Sequence, residues 1–228
     1  MIKTIALKNL SKKYLINDNL KVLNNINFSF FQGKIYSIVG PSGSGKSTLL
    51  NLLSLIDTPT SGVIEILNEK IDFKEKNRND YIRSKNIGII YQDKNLLSDF
   101  TALENVYLPR LLVTNDRNKS IIEAKKIIKN VGLSSRLNHY PSELSGGENQ
   151  RIAISRALIN QPEIILADEP TGNLDFNNAK KIFDIIFKLK NNNRIIIFAT
   201  HNRYFANMAD CKMQMINGKI KLTNARIY

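Results

Sequence analysis

The sequence is poor in cysteine and has no long apolar run. Cys211 is its one cysteine, so the chain cannot form an internal disulfide. No apolar segment approaches the roughly 18 residues that a membrane-spanning helix needs, and residues 1–8 lack the apolar region of a secretory signal. We therefore expect a cytoplasmic protein, and its 228 residues predict a single domain with a sizeable core.

Acidic residues are scarce relative to basic ones. The chain has 33 Lys and Arg against 20 Asp and Glu, which gives a net charge of +13. Such a balance can indicate binding to nucleic acid or to anionic lipid. The chain is also rich in Lys, Asn and Ile, the residues that A/T-rich codons specify, and it contains the run Asn191–Asn193. We therefore attribute the charge to composition and expect no nucleic-acid partner.

A glycine-rich segment between two apolar runs carries the strongest functional signal. Residues 40–48 fit G-x-x-x-x-G-K-[ST], the pattern of a phosphate-binding loop. The run Ile35–Val39 before it predicts a buried strand, and Ser47–Ile56 predicts a helix, so that backbone N–H groups face a triphosphate. In this pattern the lysine contacts the β- and γ-phosphates, and the following hydroxyl binds Mg²⁺. The residues expected to bind the triphosphate here are Gly40, Pro41, Ser42, Gly43, Ser44, Gly45, Lys46, Ser47 and Thr48.

Two adjacent carboxylates follow another apolar run. Residues 164–169 read Ile-Ile-Leu-Ala-Asp-Glu, which predicts a strand with Asp168 and Glu169 at its carboxyl end. Ligands of open α/β sheets bind at that end. Asp168 is expected to hold Mg²⁺ directly or through water, and Glu169 to polarise an attacking water as a general base.

The order of apolar runs predicts a parallel α/β core with an antiparallel β lobe at its N-terminus. Short apolar runs and turns fill residues 1–34, and the dipeptide Asn217-Gly218 predicts a hairpin near the C-terminus. Helical spacing dominates residues 93–160. We therefore predict one domain whose core comprises residues 1–92 and 161–228, with an inserted helical lobe at 93–160.

Residues 144–150 read Leu-Ser-Gly-Gly-Glu-Asn-Gln and resemble the signature motif of ABC-type ATPases. Ser145, Gly146 and Gly147 open a predicted helix whose N-terminus can bind an anion. In the ABC family this site binds the γ-phosphate held by the other protomer. The resemblance therefore implies a homodimer that closes on ATP, with these three residues completing the partner's site.

Four further residues match motifs of the same family in chain order. Tyr14 matches the aromatic residue that stacks on adenine, and Gln92 matches the glutamine that contacts Mg²⁺ and the attacking water. Asp175 matches the aspartate at the dimer seam. His201 matches the histidine that contacts the γ-phosphate, so the resemblance implies that Lys46, Gln92, Glu169 and His201 take part in hydrolysis.

Several longer runs are most similar to the lipoprotein-releasing branch of the ABC family. They include Leu55–Gly62, Leu96–Val106 and Ala167–Asp175. Macrolide- and peptide-efflux ATPases share some of these runs, and an ABC ATPase of cell division that moves no substrate is a further alternative. Asn149 and Ser98 depart from the usual residues of the branch, and neither touches the phosphate chemistry.

The resemblance implies the ATP-hydrolysing subunit of a transporter. Two copies would act with two integral membrane permease subunits, on the cytoplasmic side of the inner membrane. A role on DNA or ribosomes fits less well. The stretch between residues 48 and 144 is too short for the long coiled coils of DNA-repair members, and the chain carries one cassette where translation factors carry two.

Overall fold

Two β-sheets and a group of helices make up the computed structural model, which describes residues 2–14 and 20–225. The first sheet is antiparallel, in the order β2-β1-β4-β5. Its strands are β1 (Lys3–Tyr14), β2 (Leu20–Phe31), β4 (Ser61–Ile66) and β5 (Glu69–Lys70). The predicted antiparallel lobe is therefore confirmed.

The second sheet has six strands in the order β10-β9-β3-β8-β7-β6, and β9, β3, β8, β7 and β6 run parallel. The inner strands are continuous apolar runs because helices or the other sheet cover both of their faces. The strands are β3 (Ile35–Val39), β6 (Ile87–Ile90), β7 (Ile164–Asp168), β8 (Ile195–Ala199), β9 (Cys211–Ile216) and β10 (Lys219–Ala225).

The last two strands form the predicted hairpin. Asn217 and Gly218 connect β9 to β10 and both have positive φ, 49° and 69°. These values suit a tight two-residue turn that matches the twist of the strands. A Cβ on Gly218 would lie 2.4 Å from the carbonyl oxygen of Val22, so this turn also packs closely against β2.

Four helices of the described residues lie before β6 or after β7. They are α1 (Lys46–Leu53), α2 (Lys76–Asn86), α6 (Phe176–Lys188) and α7 (Arg203–Ala206). Helix α1 joins the two sheets, because its leucines pack between them in the largest group of buried side chains. Helix α6 covers the opposite face, where Phe183 stacks on Phe205 with ring centroids 4.1 Å apart.

Three helices between β6 and β7 form a hydrophobic cluster of their own. They are α3 (Ala102–Thr114), α4 (Arg117–Asn130) and α5 (Gly146–Leu158). They lie within the range predicted as a helical lobe, and the lobe's boundaries at 93 and 160 stay a prediction. None of the helices in residues 2–14 and 20–225 is long and apolar enough to cross a membrane.

We expect Leu52→Ala to lower the free energy of unfolding by about 2–5 kcal/mol, because Leu52 is fully buried between the sheets and its loss leaves a cavity. The matched control is Leu112→Ala, since the Leu112 side chain is 85% exposed and its removal should change stability by less than about 0.5 kcal/mol. Chemical denaturation of both variants measures the difference. Equal losses would contradict the packing described for α1.

Candidate active site

A cavity of about 640 Å³ opens where β3, β7 and β8 end. Its lining combines residues 40–48, apart from Ser44, with Tyr14, Gln92, Glu169 and His201. The structure thus brings together most of the site residues that the sequence predicts, although they come from distant parts of the chain.

The segment Gly40–Thr48, called the phosphate-binding loop below, connects β3 to α1. Gly45 is the residue before the first turn of α1 and has a φ of 102°, a conformation that L side chains rarely adopt. A Cβ on Gly45 would lie 2.8 Å from Leu23, and one on Gly40 would lie 2.3 Å from the carbonyl oxygen of Met215. The loop is therefore held tightly between β2 and β9, with the positive end of α1 at the cavity.

Lys46 lies across this loop. Its Nζ donates hydrogen bonds to the carbonyl oxygens of Gly40 at 2.9 Å and Pro41 at 3.0 Å. The ammonium group is thus held at the mouth of the loop, beside the N–H groups that begin α1. A compact positive charge at this place can pair with phosphate oxygens.

Glu169 and His201 form a hydrogen-bonded pair at the same edge of the sheet. Glu169 has a positive φ of 44°, uncommon for a residue with a side chain, and its N–H donates to the Ala199 carbonyl at 3.0 Å. One carboxylate oxygen lies 2.9 Å from His201 Nδ1, and the other accepts from the His201 N–H at 3.3 Å. Because an ionised carboxylate only accepts hydrogen bonds, the imidazole nitrogen that faces it, Nδ1, is the donor of this pair.

Asp168 lies at the end of β7 and does not line the cavity directly. Its Oδ1 is buried and has no hydrogen-bond partner in the described part of the chain. A buried carboxylate oxygen without a partner is costly unless a cation or an ordered water completes it. Ser47 and Gln92 on the cavity wall also offer oxygen atoms, the kind of ligand that Mg²⁺ prefers.

The Gln92 side chain lines the cavity and also contacts the segment that follows β7. Its Nε2 lies 3.4 Å from Asn173 Oδ1, to which it donates. A Cβ on Gly172 would lie 2.8 Å from that Nε2, so this glycine lets the Gln92 amide pack against the backbone. With Nε2 engaged by Asn173, Oε1 is the atom of the amide left for a cation or a water.

The other predicted site residues do not line this cavity. Ser145 caps α5, and its side chain accepts a hydrogen bond from the N–H of Glu148. Asp175 caps α6 in the same way and accepts from the N–H of Asn178. A Cβ on Gly146 would contact Leu174 at 3.4 Å, so the two helix starts adjoin each other. Besides Ser44 and Asp168, the predicted site residues that do not line the cavity are Ser145, Gly146, Gly147 and Asp175.

Glu148 completes the cap of α5. Its carboxylate accepts from the Ser145 N–H at 2.8 Å and from Arg136 Nε at 3.0 Å. These hydrogen bonds, the backbone one foremost, lower the pKa of Glu148 from 4.5 to about 2. The charge of Glu148 is therefore fixed at neutral pH, and Arg136 balances it beside the helix N-terminus.

Sequence reasoning missed several residues of the site. Leu20 and Val22 line the cavity next to Tyr14, but their apolar side chains in a strand carry no signal of a binding role. Asn173 was not among the predicted site residues, and its contact with Gln92 joins positions 81 residues apart in the chain. No periodicity or local motif reveals such a contact.

A model of the ABC transporter family matches residues 23–172 of the chain. Curated relatives extend the similarity over nearly the whole sequence. The lipoprotein-releasing system ATP-binding protein LolD of Rickettsia bellii (strain RML369-C) is 43% identical over 97% of this chain and 99% of its own length. The protein of the same name from Wigglesworthia glossinidia brevipalpis is 45% identical over 95% of this chain and 96% of its own.

Solved structures of an ATP-binding cassette have the same fold. The dimeric post-hydrolysis state of the cassette MJ0796, bound to ADP and Pi, superposes with a TM-score of 0.91 at 35% identity, over 98% of this chain and all of that one. A second dimeric structure of MJ0796, described as a bacterial ABC transporter cassette, gives a TM-score of 0.90 at 36% identity, with the same coverage.

We expect Glu148→Gln to lower stability at neutral pH by about 1 kcal/mol, because the cap loses its charge. Since the pKa of Glu148 is about 2 in the folded chain and 4.5 ordinarily, its contribution is complete above pH 4.5 and is lost as the pH falls toward 2. The gap in the free energy of unfolding between the wild type and the variant should therefore narrow as the pH falls below about 4.5.

Thermal unfolding from pH 7 down to the acid limit of folding measures this gap. The matched control is Glu75→Gln, which removes an exposed carboxylate paired with the exposed Arg78. A gap for Glu148→Gln that stays constant with pH would contradict the assigned cap.

Proposed function

Since the chain belongs to the ABC transporter family, we propose that it is the ATP-hydrolysing subunit of a transporter that releases lipoproteins from the inner membrane. The observation that carries the proposal is the meeting of the phosphate-binding loop, Gln92, Glu169 and His201 at one cavity. The cargo rests on the LolD relatives, whose printed name is that of a lipoprotein-releasing system and whose similarity covers nearly the full chain.

The phosphate-binding loop is proposed to bind the phosphates of ATP. Backbone N–H groups at the start of α1 and the Lys46 ammonium supply positive charge around them. Ser47, Gln92 and Asp168 are the residues proposed to hold Mg²⁺, which when bound neutralises charge on the β- and γ-phosphates. The buried, unpartnered Oδ1 of Asp168 supports this assignment.

Glu169 is proposed to act as the general base. A base at this place would accept a proton from a water that attacks the γ-phosphate. His201 orients the carboxylate through its Nδ1 and its backbone N–H. In a neutral imidazole with its proton on Nδ1, Nε2 would accept a hydrogen bond from water.

Four of the residues that do not line the cavity are proposed to serve a second copy. Ser145, Gly146, Gly147 and Asp175 cap or begin adjoining helices, and a helix N-terminus can bind the γ-phosphate of a facing site. The dimeric cassette structures with the same fold support a homodimer of this kind. Each ATP would then lie between the phosphate-binding loop of one copy and the α5 N-terminus of the other.

The membrane-embedded part of the transporter is proposed to come from two permease subunits on which two copies of this chain are seated. The chain would then lie peripherally on the cytoplasmic side of the inner membrane. Membership of the ABC transporter family and the system named for the LolD relatives support this arrangement.

We expect Glu169→Gln to reduce ATP turnover by roughly 10²–10⁴-fold, because the amide cannot accept the proton. ATP affinity should remain, since the loop and Lys46 are unchanged. The matched control is Glu163→Gln, the same substitution beside the opposite end of β7, which should leave turnover near that of the wild type. Turnover and ATP binding are measured on the same preparations, and near-normal hydrolysis in Glu169→Gln would rule out the assignment.

Depletion of the protein in its own cell should leave lipoproteins in the inner membrane, because their release would lose its source of energy. Membrane fractionation after depletion measures their distribution. Re-expression of the Glu163→Gln variant should restore delivery, whereas Glu169→Gln should not. Normal delivery of lipoproteins together with failed efflux of a macrolide or a peptide would show that the cargo assignment is wrong.

A further inference from the structure

We propose that Asp57 and Lys12 are positioning residues for the nucleotide base, and that they act by fixing the ring of Tyr14. The inference rests on the proposed function, in which Tyr14 stacks on the base of ATP. It adds two residues that contact the tyrosine, and it gives a physical role to the run Leu55–Gly62, which contains Asp57.

Asp57 reaches Tyr14 from the loop that follows α1. The Tyr14 hydroxyl donates to Asp57 Oδ2 at 2.8 Å, and Lys12 Nζ donates to the other oxygen, Oδ1, at 2.5 Å. The Thr58 N–H also donates to Oδ1, at 2.7 Å. Burial raises the pKa of Asp57, but these hydrogen bonds outweigh it, so the pKa lies below its ordinary value. The carboxylate is therefore charged and saturated with donors when it holds the tyrosine.

Lys12 lies two residues before Tyr14 in β1, on the same face of the strand. Only 11% of its side chain is exposed, low for a lysine. Besides Asp57, its Nζ donates to the carbonyl oxygen of Thr58 at 2.7 Å. This buried ammonium therefore fastens the loop after α1 to the end of β1, directly beside the tyrosine.

The same ammonium lies 4.8 Å from the centroid of the Tyr14 ring. A cation at this distance is attracted to the face of an aromatic ring. Lys12 thus occupies the neighbourhood of one face while Tyr14 lines the cavity. The ring that lines the cavity is therefore held by its hydroxyl and by a cation.

Helix α1 connects this support to the phosphate site. The phosphate-binding loop ends in the first turn of α1, and the N–H of Asp57 donates to the carbonyl oxygen of Asn51 at 3.2 Å, near the end of the same helix. The place of the base and the place of the phosphates are therefore both set by α1. A loss of the Asp57 contact should free the ring without disturbing the loop.

The test compares the affinity for ATP with that for inorganic tripolyphosphate, which has phosphates but no base. We expect Tyr14→Ala to weaken ATP binding by roughly 5- to 100-fold, the range of base–aromatic stacking. Tyr14→Phe keeps the ring and removes the hydroxyl, and Asp57→Asn keeps the shape and removes the charge. Each should weaken ATP binding by about 3- to 10-fold. The double variant with both substitutions should bind ATP no more weakly than either single variant.

Tripolyphosphate binding should be unchanged in all of these variants and lost in Lys46→Ala. The control Asp184→Asn, an exposed aspartate on α6, should affect neither ligand. Lys12→Met combined with Asp57→Asn removes the buried ion pair without leaving a single charge unpaired, and thermal unfolding of this variant checks folding.

The outcomes separate the inference from its premise. Unchanged ATP affinity in Tyr14→Ala would remove the tyrosine from the base site and overturn that part of the proposed function. A loss in Tyr14→Ala without any loss in Tyr14→Phe and Asp57→Asn would overturn the inference alone. An equal loss of ATP and tripolyphosphate in Asp57→Asn would show a merely structural role and would also overturn it.

Discussion

The parallel pairing of β3, β8 and β7 is the constraint on which the site depends. Ile38 of β3 and Asp168 of β7 both lie opposite Ala199 of β8, so the three strands end at one level. The phosphate-binding loop, Glu169 and His201 follow these ends and must meet at the same edge. A slip of one residue in any of these pairs would turn the following side chains to the other face of the sheet. The buried, β-branched strands therefore fix the chemistry as well as the core.

The sequence predicted the structure most accurately where a local motif and an apolar run agree. Ile35–Val39 was predicted as a strand with the bounds that β3 has, because a five-residue apolar run before a glycine loop allows little else. Helix α2, Lys76–Asn86, was not predicted. It is dominated by charged and amide side chains, and Asn79 is its one buried residue, so it has no apolar period. Contacts between distant segments, such as Gln92 with Asn173 or Tyr14 with Asp57, arise only when the sheets assemble.

The segment that carries Gln92 is fastened to α5, the helix whose N-terminus is proposed to face the second copy. Gln150 donates to the carbonyl oxygen of Tyr91 at 3.3 Å. Arg156 donates to the carbonyl oxygens of Lys94 at 2.7 Å and Asn95 at 2.6 Å. The backbone on both sides of Gln92 is therefore bonded to α5, while its side chain rests on Asn173. A displacement of α5 relative to the sheet would move Gln92 with it, which links the distant helix terminus to the cavity without a direct contact.

The side chains around Tyr14 bear on which nucleoside triphosphate the site selects. Leu20 and Val22 line the cavity beside the tyrosine, and they offer alkyl groups rather than hydrogen-bonding edges. A base stacked on Tyr14, as proposed, would contact these alkyl groups through its flat face, a property that adenine and guanine share. These three side chains would therefore not distinguish adenine from guanine.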